Sequence, residues 1–127
     1  MKIIFDTYAW IEYFKGSEIG KKVNRILESK ENEIFTSIIT IAELASILKR
    51  KNEDVELCCK IVKDSSELFF INAEIAKEAG ILHAETRKKI KDFGMVDSII
   101  LLTAHKLNAK IVTGDPHFKG FKEAILI

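Results

Sequence analysis

Four carboxylates in this 127-residue chain occupy positions from which they could work together: Asp6, Glu43, Asp97 and Asp115. Asp6 ends the apolar run Ile3-Ile4-Phe5, Asp97 opens an apolar helical stretch after Gly94, and Asp115 follows Ile111-Val112-Thr113-Gly114. Glu43 lies inside a helical pattern, between Ile39 and Ile47 at i−4 and i+4, a face too apolar for an ordinary solvated surface. Two carboxylates about 4 Å apart repel by roughly 4 kcal/mol at an effective dielectric near 20. Four brought together therefore require a compensating cation, and an all-oxygen donor set selects Mg²⁺ or Mn²⁺ over zinc. Each acid also has a plain structural role open to it. Asp6 can cap a helix holding Tyr8, Ala9, Trp10 and Phe14, and Asp97 can answer a helix dipole. Asp115 can make an Asp-Pro turn with Pro116, and Glu43 can be a surface acid near Ser46 and Arg50.

The elements that would position these acids follow from periodicity. Short β-branched or aromatic runs at Lys2–Phe5, Glu33–Thr36, Glu67–Ile71, Ala109–Thr113 and Glu123–Ile127 have strand length. Between them, Ile19/Val23/Ile26/Leu27, Val55/Cys58/Cys59/Val62 and Ile75/Ala79/Leu82/Thr86/Ile90 repeat at helical spacing, and Ile38, Ile41, Ala42, Ala45 and Leu48 form a core stripe beside Glu43. Ser17, Ser37 and Asn72 stand at N-cap positions. Strands alternating with helices predict βαβ units. The expected architecture is a single α/β domain over residues 1–127, a three-layer α/β/α sandwich around a mainly parallel five-stranded sheet. In such a sheet helix N-termini share an edge with strand C-termini, and ligands bind along that edge. All four acids belong there.

Composition bounds the rest. Twenty Lys+Arg against 19 Asp+Glu leave a net charge of +1, which excludes a basic nucleic-acid-coating protein. With four acids set aside for a metal, 20 basic residues face 15 remaining acids, a modestly basic surface around an acidic site. A hydrophobic fraction of 47% with one proline excludes a disordered chain. Cys58 and Cys59 are adjacent and fit neither a long-loop disulfide nor a zinc spacing, so a reducing, cytoplasmic setting is expected. Asp6 interrupts the first apolar run too early for a signal peptide, and no stretch reaches the roughly 18 apolar residues of a membrane span.

The segments Ile3-Ile4-Phe5-Asp6-Thr7, Ile41-Ala42-Glu43-Leu44, Val96-Asp97-Ser98-Ile99-Ile100 and Ile111-Val112-Thr113-Gly114-Asp115-Pro116-His117-Phe118, in that order and spacing, resemble a PIN domain, most nearly the small VapC-type toxins. The resemblance spans the chain. It implies a PIN-like fold and a Mg²⁺- or Mn²⁺-dependent endoribonuclease, with Asp6, Glu43, Asp97 and Asp115 as the acidic tetrad that binds metal and catalyses, and Thr7 and Thr113 as supporting hydroxyls. It further implies an RNA substrate, a homodimer and a VapB-type antitoxin. Ser98 stands where many relatives have alanine, and Asp92 competes for the third acidic role from the loop before Gly94.

Other features carry less. Lys49-Arg50-Lys51 and Arg87-Lys88-Lys89 with Lys91 complement helix C-termini, with phosphate contact as the minor reading. His83, His105 and His117 lack metal-ligand spacing, and only His117 lies near the acids. The aromatics Tyr8, Trp10, Tyr13 and Phe14 read chiefly as core. Competing functions are a phosphotransferase with Asp6 as nucleophile, disfavoured by Tyr8 where a second acid is usual, an RNA-processing nuclease without antitoxin, and a non-catalytic interaction module.

Overall fold

The structure, a computed structural model, describes residues 1–127. Five strands form one sheet: β1 (Lys2–Phe5), β2 (Glu33–Ser37), β3 (Glu67–Phe69), β4 (Lys110–Thr113) and β5 (Ala124–Leu126). Their order is β3-β2-β1-β4-β5 and every pairing is parallel, as the alternation of elements required. The crossovers are α1 (Thr7–Lys15) with α2 (Glu18–Glu28), α3 (Ile38–Arg50) with α4 (Val55–Ser65), and α5 (Ala73–Thr86) with α6 (Met95–Leu107).

β1 sits at the centre, flanked by β2 on one side and β4 on the other. The chain leaves β1 in one direction and returns from β3 to the opposite side, so the switch point of the sheet lies between the ends of β1 and β4. Helices cannot cover that point, because the crossovers diverge from it.

Two apolar clusters cover the sheet. One joins Ile3, Phe5, Ile34 and Val112 to Trp10, Val23, Leu44, Leu48 and Val62, and the other joins Ile4, Phe35 and Ile111 to Phe93, Ile100, Leu101 and Phe118. The alternation along β1, with Ile3 and Phe5 in one cluster and Ile4 in the other, follows from the period of two in a strand. The aromatics of α1 belong mainly to the first cluster. Trp10 is fully buried, donates Nε1–H to Thr36 Oγ1 at 3.0 Å, and stacks edge-on to Phe5 and Tyr13.

All three expected caps are present: Ser17 accepts from the Gly20 amide, Ser37 from Ile39 and Asn72 from Ile75. At Gly20 a Cβ would collide with the Glu12 carbonyl oxygen, so the close packing of α2 on α1 requires glycine there.

Several boundaries and faces depart from expectation. β3 stops at Phe69, with Phe70 exposed, because β3 is an edge strand bonded only to β2, whose last residue Ser37 already pairs with Phe69. In α3 the inward residues are Thr40, Leu44 and Leu48, with Ala42 exposed; the bulkier Leu44 turns the stripe away from the alanines. Ile39, partly buried, packs against the second cluster. No helix is long and apolar enough to cross a membrane.

Candidate active site

Asp6, Thr7, Glu43, Asp97 and Asp115 line one cavity of about 440 Å³ at the switch point, together with Tyr8, Gly114 and an apolar wall. Four separate segments thus deliver their acids to one place, although they are 37, 54 and 18 residues apart along the chain.

Asp6 arrives from the central strand. Its side chain is almost wholly buried and caps α1, accepting the Ala9 amide at 2.9 Å. The capping role and the site role therefore coexist on one carboxylate. Burial pushes its pKa up to about 6. The Thr113 hydroxyl and the Ala9 amide oppose that rise, while the negative charges of Asp115 and Asp97 add to it. The rise measures how poorly this position tolerates a bare charge.

Asp97 is in the first turn of α6 and accepts the Gly94 amide at 3.0 Å, reaching back to the residue that opens the helix. Its pKa is also raised, first by burial and then by Asp115, against the Gly94 amide and the nearby His117. Glu43 projects from the second turn of α3 and takes the Thr7 hydroxyl at 2.5 Å. Asp115 begins a short 3-10 turn, Pro116–Phe118, and accepts the His117 amide at 2.9 Å. Its own amide is held by Thr113 Oγ1 at 3.0 Å, and the same wholly buried threonine is the one that opposes the rise at Asp6. Asp92 is exposed in the loop before Gly94 and does not line the cavity.

His117 is the residue that sequence reasoning undervalued. Its Nδ1 lies 2.9 Å from Asp115 Oδ1 and 3.8 Å from Asp97 Oδ2, and one ligand atom from each of the three fits within 4.8 Å. That nitrogen is enclosed yet makes no well-directed hydrogen bond. The available signal was its place two residues after Asp115 in the turn that follows β4. His83 instead meets the Phe93 carbonyl, and His105 approaches Glu123, both away from the cavity.

The donor set fits a hard divalent cation. Two acids carry raised pKa values through burial and mutual repulsion, the remaining oxygens face the same cavity, and the His117 Nδ1 joins Asp97 and Asp115 in one close group of ligand atoms. A positive ion at this point would relieve the repulsion and the cost of burying charge.

A parallel α/β sheet with an acidic cavity at its switch point defines a ligand-binding class, and comparison with known proteins narrows it. The PIN domain family model matches residues 3–124, and the chain belongs to that family. No curated protein matches it in sequence. Among solved structures it resembles VapBC2 from Rickettsia felis bound to a promoter DNA fragment (TM-score 0.76, 24% identity, covering 100% of this chain and 98% of the other). It also resembles the sarcin-ricin-loop-cleaving toxin VapC20 of Mycobacterium tuberculosis (0.74, 18% identity, 95% and 97%). A third likeness is to a toxin-antitoxin complex from Klebsiella pneumoniae (0.71, 24% identity, 97% and 95%). At these identities the likeness establishes the PIN fold along the whole chain.

Proposed function

We propose that the chain is a Mg²⁺- or Mn²⁺-dependent endoribonuclease of the VapC type, the toxin of a toxin-antitoxin pair. The observation that carries this reading is the convergence of Asp6, Glu43, Asp97 and Asp115 on one cavity at the sheet's switch point. Membership of the PIN family and likeness to toxin structures support it.

In this reading Asp6, Asp97, Asp115 and Glu43 would hold the ion; Asp97 and Asp115, with His117, bring ligand atoms within 4.8 Å of one another, while Asp6 and Glu43 line the same cavity outside that close group. A bound divalent ion supplies an activated water and neutralises the phosphate charge that builds during in-line displacement. Thr7 fixes the rotamer of Glu43 and Thr113 fixes the turn that presents Asp115. Burial of Asp6 shields that carboxylate itself from bulk water, while the other acids remain partly open to solvent and substrate. The surplus of basic residues outside the acid cluster favours approach of a polyanion, which the acids alone would repel.

The acting unit is one domain over residues 1–127, working in the cytoplasm as a homodimer and restrained by a VapB-type antitoxin. Cleavage of single-stranded RNA by the purified protein with Mn²⁺ or Mg²⁺, abolished by EDTA and restored by excess ion, is the expected result. Undiminished cleavage in EDTA would overturn the metal mechanism. Phosphate captured covalently on Asp6 would instead select the phosphotransferase reading.

A further inference from the structure

Helix α1 carries four aromatic residues, and one behaves unlike the others. Trp10, Tyr13 and Phe14 contact one another, with ring centroids 5.3–6.0 Å apart, and pack in or against the first core cluster. Tyr8 makes no ring contact of that kind, remains 37% exposed, and lines the acidic cavity. An exposed tyrosine alone is unremarkable on a protein surface. Its seat is not: a Cβ on Gly114 would fall 2.2–2.5 Å from three carbons of the Tyr8 ring. Any side chain at Gly114 would push the ring away, so glycine between Thr113 and Asp115 lets the aromatic lie directly against the backbone that presents the fourth acid.

The cavity is consequently two-sided in chemistry. Its acids suit the phosphodiester through a cation, while Tyr8 and the half-buried Val96 offer surface that carboxylates cannot use. A nucleotide has the same division, a charged phosphate joined to a flat apolar-faced base. Base stacking on an aromatic ring tolerates any sequence because every base has a π-face, and it requires an unpaired strand.

We propose that Tyr8, seated on Gly114, is a stacking platform that receives an unpaired RNA base next to the scissile phosphate. The inference rests on the nuclease reading above and assigns Tyr8 a positioning role in it. The phosphate end is anchored by the acids and their ion, so the ring sets where the neighbouring nucleotide lies and acts mainly on substrate binding.

The test uses the full chain, Mn²⁺, and single-stranded RNA oligonucleotides carrying 2-aminopurine at successive positions. Tyr8→Ala is expected to raise KM about 10-fold with kcat changed less than about threefold, while Tyr8→Phe stays within about twofold of the parent. Stacking quenches 2-aminopurine fluorescence on binding to the parent and to Tyr8→Phe, and that quenching is lost in Tyr8→Ala, in Tyr8→Leu and in Gly114→Ala. Tyr8→Leu keeps apolar bulk, so it separates loss of the ring from loss of packing. An active parent whose KM and quenching are unchanged in Tyr8→Ala would overturn the platform and leave the nuclease standing. Equal losses in Tyr8→Phe and Tyr8→Ala would assign the phenol hydroxyl and also overturn it. A parent that neither binds nor cleaves RNA with metal overturns the nuclease reading itself.

Discussion

Asp6 and Glu43 reach the same cavity by opposite routes. Asp6 continues the central strand, is buried, caps α1, and is surrounded by groups that shift its protonation. Glu43 hangs from the outer part of a helix, half-buried, with one hydroxyl holding its carboxylate. The first acid is built into the frame and the second is attached to it. The difference teaches that a shared site can draw on groups with very different coupling to folding, so charge removal should separate them by stability even where it unites them by activity.

The largest expected effect tests what they share. Asp6→Asn should lower cleavage by about 1,000-fold or more, because a carboxylate that holds the ion is lost while asparagine preserves the cap to Ala9. Its metal-free melting temperature should rise, because a poorly solvated charge has been removed; a fall would mean that the ionised carboxylate stabilises the fold. Glu43→Gln should cost about 100-fold in activity with metal-free melting unchanged within about 2 °C. A stability gain matching that of Asp6→Asn would erase the distinction between the two acids.

A pH titration of stability sharpens the same contrast. Asp6 has a folded pKa of about 6 against an ordinary value of 3.8, so the folded state binds the proton more tightly. Stability is then greatest below about pH 4 for this group and declines as pH rises towards and through 6, by about 3 kcal/mol for a shift of that size. Asp97, also raised, contributes in the same direction. Without metal the protein should therefore melt lower at pH 7.5 than at pH 5, and Mn²⁺ should restore most of the difference at pH 7.5. Asp6→Asn should flatten that slope, as differential scanning calorimetry would register. The smallest effect concerns the attachment: Thr7→Val releases Glu43 and should reduce activity about 10-fold, with metal affinity measured calorimetrically falling in step.

The contrast also explains what the sequence could disclose. Asp6 was legible twice, as a cap and as a residue of the cavity, because one feature, an acid directly after an apolar strand, produces both. The cap and site roles looked like rivals only because a linear reading assigns one partner per side chain. Asp97 and Asp115 were legible for the same reason, each being an end-of-element acid. Glu43 was found through its isoleucine neighbours, yet the face of α3 came out rotated because Leu44, hidden beside the acid, outweighs the alanines in packing. Tyr8 was grouped with Trp10, Tyr13 and Phe14, since residue type and helix membership do not reveal that Gly114 from a distant strand end draws its ring aside. His117 was undervalued because its meaning depends on the tight turn after Asp115, whose geometry no periodicity encodes. The end of β3 at Phe69 was likewise invisible, because β-propensity continues through Phe70 and Ile71 while the partner strand β2 does not.

Thr113 links these observations to robustness. One hydroxyl, wholly buried, accepts the backbone amide of the fourth acid and lowers the pKa of the first. Two acids separated by 109 positions in the chain therefore share one neighbour at the end of β4. A substitution at Glu43 or His117 acts locally, whereas one at Thr113 reaches Asp6 and Asp115 together. The spacing between those two acids is set by the parallel register of β1 on β4, which holds Phe5 beside Val112.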